Sequence, residues 1–580
     1  MKNTLSAEEM YSLKQVALGE EKADLVVVNG DMVNVYSGEL IKDCSVAVKG
    51  EWIAYVGPDD NSVIGPETQV IDASGKVVIP GFIDGHTHMV WYARPEEFIR
   101  YVAKGGTTTI ITETMELSCF GYSEFLAYLE ALEDQPIKIF ATIPAGVTLS
   151  KSFLNRNPGI EGLKKLLQRE DVLGVGEGYW QDVMRNDANF SALAVEALRL
   201  GKVVEGHAAG AKEKRLQAYI TYGVSSCHES VSAEEVIEKL RLGLSVMIRE
   251  GSIRKEIKAI SEIKDKPLDF RHLSLVTDGM VPGDLIKNGY LECAVQTAID
   301  HGFDPIVAIQ MATLNPAEHF HLDGLGGLAP GKYADMVIIP DLRTIRAECV
   351  ISNGKVIARH GKLLVEPKPT SLSIKGPRDI HVTPSDFIIR AEGEGPFKVR
   401  IMDQVTELVT REAFEEMIPE QGELKADPEK DILKAALITT EGKVFTSFIK
   451  GLRIKKGVVA ISNGWEISGI LVVGAKDEQI AEAVNRVAEL GGGVVFYFDG
   501  QLRVEIPMSI GGLLSDLPIE SQAQKIEEIQ KQTKELGFPF NDIMLSIATI
   551  TTPAIPFLRM SEDGLVDFRK AEVVDLVISP

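Results

Sequence analysis

Four of the ten histidines in this sequence stand where metal chemistry is possible. His86 and His88 are separated by one residue in Pro80-Gly-Phe-Ile-Asp-Gly-His-Thr-His88. Alternate side chains of a β-strand share a face, so both imidazoles point the same way and can share one ion. Further along come Glu177 in Gly-Val-Gly-Glu-Gly, His207 in Glu-Gly-His, His228 in Ser-Ser-Cys-His-Glu and Asp278 in Val-Thr-Asp-Gly. A carboxylate with two oxygens can bridge two cations, which suits Glu177. His86, His88 and Asp278 would then hold one ion, and His207 and His228 the other. Nitrogen and oxygen donors without thiolate fit Zn, Mn or Fe. Such ions lower the pKa of a bound water toward ~7, which makes hydroxide available at neutral pH. Asp278 can take the proton of that water and return it to a leaving group.

These residues need a scaffold that gathers strand ends. From residue 80 to about 325, short apolar strands alternate with helical patterns. The expected strands are Val77-Ile83, Thr107-Thr112, Ile137-Ile143, Val172-Gly176, Lys202-Gly206, Val224-Cys227, Leu244-Ile248 and Leu273-Thr277, with helices such as Glu124-Leu132, Glu161-Gln168, Ser191-Leu200 and Ala233-Leu242 between them. Eight strand-helix repeats in about 245 residues predict a (β/α)8 barrel, whose active sites lie at the carboxyl ends of the strands. Each candidate ligand falls at such an end.

Before the barrel, residues 6 to 20 read as an amphipathic helix. Short strands follow, with tight turns at Asn29-Gly30 and Lys49-Gly50. After it, Met336-Ile339, Glu348-Ser352 and Lys355-Ala358 read as the second half of the same β-module, so the barrel is inserted in a small β-sandwich. The fold class is α/β, with a C-terminal α+β domain. The expected layout is residues 1–79 for the N-terminal helix and first half of the sandwich and 80–327 for the catalytic barrel. Residues 328–366 are the second half of the sandwich, and 377–580 the C-terminal domain. Gly491-Gly-Gly493 follows a predicted helix, Asp477-Leu490, and reads as its cap rather than a phosphate loop.

The bulk properties narrow the partners. With 580 residues, 45% apolar and 25% charged, the chain is an ordinary globular protein of several domains. A net charge of -23 opposes binding to nucleic acid or an anionic membrane and suits a small molecule. The five cysteines are scattered without a Cys-x-x-Cys pair, which fits a reducing compartment. The polar, acidic start is not a signal peptide, and no run is long enough to span a bilayer. A cytoplasmic protein is expected.

Pro80 to His88 resembles the signature of the amidohydrolase superfamily, and His86, His88, Glu177, His207, His228 and Asp278 match its metal-site pattern. More narrowly, the chain resembles the adenine deaminase family. The resemblance rests on Gly105-Gly-Thr-Thr-Thr109, Glu205-Gly-His-Ala208, Gly223-Val-Ser-Ser-Cys-His-Glu229, Met247-Ile-Arg-Glu-Gly-Ser252, Ala312-Thr-Leu-Asn-Pro316 and the stretch from Ala483-Val-Asn-Arg486 to Gly491-Gly-Gly493. It implies hydrolysis of adenine to hypoxanthine and ammonia by a metal-bound hydroxide, in purine salvage. It also implies two divalent ions per site, with manganese ahead of iron or zinc, a purine base as substrate and a homo-oligomer. Three places depart from the family. Met89-Val-Trp-Tyr92 is apolar where an acid is usual, Met115-Glu116 stands for a His-Glu pair, and Trp465 and Ser468 stand for two histidines.

Two groups extend the catalytic set. Attack at C6 of adenine places electron density on N1, where Glu250 or Glu229 can supply a proton. Trp91 and Tyr92 can stack on a planar base. Two other readings are a hydrolase of a different cyclic amidine or amide and a catalytically silent relative. A zinc deaminase with a Pro-Cys-x-x-Cys ligand pair is excluded, because that pair is absent.

Overall fold

The computed structural model describes residues 5–145, 157–467, 469–555, 557–567 and 572–578. Strands from both sides of the central segment form one nine-stranded sheet. Leu25–Asn34, Glu39–Lys49, Trp52–Gly57, Gln69–Asp72 and Val77–Pro80 come from the N-terminal side. Met336–Ile339, Cys349–Ser352, Lys355–Arg359 and Lys362–Leu363 come from the other. The two groups meet where Met336 to Ile339 run antiparallel to Pro80 to Val77. The expected sandwich halves are therefore hydrogen-bonded into a single sheet.

Two local expectations change. Asn29-Gly30 is not a turn. It lies inside the strand Leu25–Asn34 as an irregularity in register, with Asn29 at φ 60°. A Cβ on Gly30 would meet Val78 Cγ2 at 2.6 Å, so the close approach of the neighbouring strand accounts for the glycine. The run Val77-Ile83 is not one strand either. Val77–Pro80 belongs to the nine-stranded sheet, and a new strand starts at Phe82. The break falls at Gly81, where a Cβ would collide with the Thr108 side chain.

Eight parallel strands follow, numbered β1 (Phe82–His88), β2 (Thr107–Glu113), β3 (Lys138–Pro144), β4 (Val172–Tyr179), β5 (Val203–His207), β6 (Ser226–Cys227), β7 (Ser245–Arg249) and β8 (Leu273–Val276). β1 to β5 form one sheet in sequential order, and β6 to β8 form a second. Backbone bonds cross both gaps: the Ser225 N–H donates to Val204 O at 2.9 Å, and the Asp278 N–H to His86 O at 3.0 Å. The helices between them bury one apolar face, as their spacing predicts. Ala233–Arg241 is typical. Ser232 caps its first turn by accepting from Glu235 N–H, and Val236 faces the core.

Beyond residue 390 a second nine-stranded sheet forms, mostly antiparallel. Helix Asp477–Leu490 lies on it, burying Ile480, Val484 and Val487 against Ala436, Val458 and Val472. Gly491 ends that helix in the left-handed region at φ 76°, the cap expected there. The strands Phe397–Gln404, Thr410–Met417 and Leu433–Thr439 were not anticipated. Leu514–Ser515 pairs with Tyr92–Ala93, and Trp91 and Tyr92 join the hydrophobic core of this C-terminal region. They are packing residues and not a stacking surface for a ligand.

Candidate active site

Strand alternation delivers the side chains. On β1, His86 and His88 turn to the same cluster, with ring centroids 5.6 Å apart. Glu177 and Asp278 sit at the ends of β4 and β8 with φ of 45° and 54°, in the left-handed region. Non-glycine residues rarely hold that backbone, and strain of this kind concentrates at functional sites.

Donor atoms of His86, Glu177, His228 and Asp278 lie within 4.8 Å of one another, as do those of His207, His228 and Glu229. His88 Nε2 is 3.1 Å from Glu177 and 3.4 Å from Asp278, and His207 Nδ1 is 3.4 Å from the other Glu177 oxygen. Glu177 thus lies between the β1 histidines and His207. His228 falls in both groups, which differs from the expected division of His86, His88 and Asp278 from His207 and His228. All six ligand candidates come together.

Carboxylates stand behind the β1 histidines. Glu116 is 2.7 Å from His88 Nδ1, and Glu113 is 3.3 Å from His86 Nδ1. The other Glu113 oxygen accepts from Thr142 Oγ1 at 2.6 Å. A carboxylate accepts a proton-bearing nitrogen, which leaves each Nε2 free as a ligand atom. Neither role had been assigned in sequence. Glu113 had a signal, being the last residue of β2, but the strand was expected to stop at Thr112.

Arg249 ends β7 and meets three acids. It pairs with Glu229, donates to Asp278 Oδ2 at 3.0 Å and to Glu256 at 2.7 Å. Glu250 does not join them, contrary to the expected catalytic role. The next residue on a strand points the opposite way, so its carboxylate turns from the cluster and accepts the Ile257 N–H at 3.2 Å. Glu229 lines the cavity, but its pairing with Arg249 keeps it ionised, so it can accept a hydrogen bond there and does not carry the proton expected of it.

Burial alone would raise the carboxyl of Glu177, but hydrogen bonds from His207 and His88 hold it well below the usual range. Burial likewise opposes ionisation of Asp278, and is outweighed by bonds from His86 and His88 and by the Arg249 charge. Glu229 is held at about 2, Arg249 overcoming burial. Burial and the neighbouring His86 push His228 well down. Among the described residues, the ion pairs of this cluster contain a single guanidinium, Arg249, against Glu113, Glu116, Glu177, Glu229, Glu256 and Asp278. His207 Nε2 is buried without a hydrogen-bond partner. An orphaned imidazole nitrogen and an excess of carboxylate fit a divalent cation.

A cavity of about 130 Å³ opens above the cluster. Its walls include Met115, Tyr179 and Arg254 from the parallel-strand region and Leu408, Trp465 and Ile555 from the C-terminal region. Tyr179 donates to Glu466 Oε1 at 2.7 Å, and Thr552 Oγ1 to Oε2 at 2.6 Å. Burial pushes the Glu466 carboxyl up to about 8. Ser468 lies outside the described residues.

Comparison with known proteins places this arrangement. Residues 77–357 match the Amidohydrolase family, and residues 407–572 match the adenine deaminase C-terminal domain. Fold and match together define an α/β hydrolase of the amidohydrolase class. Likeness over the whole length goes further. The chain is 33% identical over 587 residues to an adenine deaminase of Clostridium botulinum strain 657, covering 98% of each. It is 34% identical over 588 residues to one of Moorella thermoacetica, covering 98% of each. It is 34% identical over 582 residues to one of Archaeoglobus fulgidus, covering 99% of each. The chain belongs to the adenine deaminase family.

Proposed function

We propose that the chain hydrolyses adenine to hypoxanthine and ammonia. The observation that carries the reading is the meeting of His86, His88, Glu177, His207, His228 and Asp278 beneath an apolar cavity of about 130 Å³, in a chain of this family. The eight parallel strands act as a closed (β/α)8 barrel, residues 80–327, flanked by the segments 1–79 and 328–366. Residues 377–580 close its mouth. His86, His88, Glu177, His207, His228 and Asp278 would hold the divalent metal, two ions with manganese in the first place, and that metal would supply Lewis acidity.

A divalent cation there supplies the Lewis acidity that makes water reactive at neutral pH. The chain's own groups do the rest. Asp278, fixed by Arg249 on one oxygen, accepts the proton of the attacking water. It passes that proton to the departing amino nitrogen, so that water and adenine leave as hypoxanthine and ammonia. The salt-bridged carboxylate of Glu229 accepts an N–H of the base and orients it. Tyr179, Leu408 and Ile555 exclude bulk water. The protein works as a cytoplasmic homo-oligomer without nucleic-acid or membrane partners. No helix among the described residues is long and apolar enough to cross a membrane.

The test is ammonia release from a panel of purines and cyclic amidines by the manganese-loaded chain. Adenine should be the best substrate, and Asp278→Asn should lose roughly 10²- to 10⁴-fold in kcat. Ammonia from another compound and none from adenine would select a different cyclic amidine, the reading favoured by apolar Met115 in the cavity wall.

A further inference from the structure

Trp465 comes from the C-terminal region, yet its ring lies nearly parallel to that of His88, at 11° with centroids 6.4 Å apart. Both rings line the cavity. Atoms in contact sit about 3.5–4.0 Å apart, so a flat ring interleaved between two others needs roughly 7 Å. The 6.4 Å between centroids is the upper limit of the spacing between the two planes and falls short of that, so a base would lie against the indole rather than between the two rings. The indole and the His88 ring are therefore two nearly parallel parts of the cavity lining, with the indole on the C-terminal side.

The main chain at Trp465 is held in place from several sides. The Trp465 backbone N–H donates to Ala548 O at 3.0 Å, and its backbone carbonyl accepts from Thr551 Oγ1 at 2.7 Å. The next residue, Glu466, holds φ 56°, and its two oxygens are taken by Tyr179 and Thr552. Tyr179 in turn meets His207 edge-on, with centroids 5.2 Å apart. This chain of contacts ties the loop bearing Trp465 to the end of β4. The backbone that carries the indole to the cavity is thus fixed before any ligand arrives, which spares the cost of ordering that loop on binding.

We propose that Trp465 is the stacking platform for the substrate, so that the C-terminal region supplies the face recognition of a planar heterocyclic base. This rests on the reading that the site takes such a base. Trp465 is a specificity residue: it binds ring and transition state alike and favours planar rings over saturated ones of equal size.

Steady-state kinetics of the metal-loaded full chain and quenching of indole fluorescence test the platform together. Trp465→Ala should raise KM for adenine roughly 10- to 100-fold, the range of base–aromatic stacking, with kcat within a few-fold. Trp465→Phe should recover most of that loss. Inhibition by a saturated, non-planar cyclic amide should be the same in both variants and the parent. An unchanged KM in Trp465→Ala, or an equal loss of kcat in Ala and Phe with no change in KM, would overturn the proposal. If the parent releases no ammonia from adenine, the deamination reading fails by itself, and quenching by purine bases decides the platform. Quenching in the parent that is lost in Trp465→Phe supports it. Equal quenching in both, or none in the parent, overturns it.

Discussion

Glu116 sits 2.7 Å from Nδ1 of His88, on the side of the ring away from Glu177. The acceptor fixes the proton on Nδ1 and leaves Nε2 as the ligand atom. Glu116→Ala frees the ring to turn and change tautomer. Metal affinity should fall roughly 10- to 100-fold, the usual effect of losing such a partner. Glu116→Gln keeps an acceptor oxygen and should fall less. Competition titration with a chelating dye measures both. Equal affinity in Glu116→Ala and the parent would show that His88 is oriented by other contacts.

Arg249 joins Glu229, Glu256 and Asp278 in one buried group. Removing the cation leaves three carboxylates facing each other in a medium that solvates them poorly. Arg249→Met should therefore cost about 3–5 kcal/mol of stability and most of the activity. Arg249→Lys has the charge without the fork of donors and should restore little of either. Denaturant unfolding and ammonia release report the two effects separately. A lysine variant with parental activity would contradict the geometric role.

Much of this site can be read before any fold is known, because each ligand closes a short apolar strand with its own sequence pattern. His86, His88, Glu177, His207, His228 and Asp278 all come together on that principle. What stays hidden depends on distant segments. Glu466 reaches Tyr179 across 287 positions, and no local pattern in either stretch announces the other. Glu250 shows the limit of proximity in sequence. It follows Arg249 directly, and the alternation that aims Arg249 at the cluster aims Glu250 away. Trp91 and Tyr92 adjoin the metal ligands but are drawn into the C-terminal core, which their own neighbourhood does not encode.

Binding of a divalent cation to the folded chain alone must stabilise it. At free metal a hundred times its Kd, the gain is about 2.7 kcal/mol per site. Dialysis against a strong chelator should lower the unfolding midpoint and abolish ammonia release, and added manganese should restore both. Activity that survives with no metal detected by elemental analysis would sink the metal-dependent reading.

Glu466 links stability to pH. Burial raises its carboxyl from the ordinary 4.5 to about 8, against the smaller opposing effect of the Thr552 and Tyr179 hydroxyls. Between those values the folded state keeps a proton that the unfolded chain has lost. Stability must then fall as pH rises through this window and level off above the folded value. Glu466→Gln removes the titration while keeping an acceptor for one of the two hydroxyls. The difference in unfolding free energy between parent and variant should shift in favour of the variant from pH 4.5 to about 8, by on the order of a few kcal/mol. Other groups titrate alike in both proteins, so the difference isolates Glu466. A pH-independent difference across that range would mean that Glu466 ionises in the folded chain as it does in the unfolded one. The tie between Tyr179 and the Trp465 loop would then be an ordinary carboxylate contact.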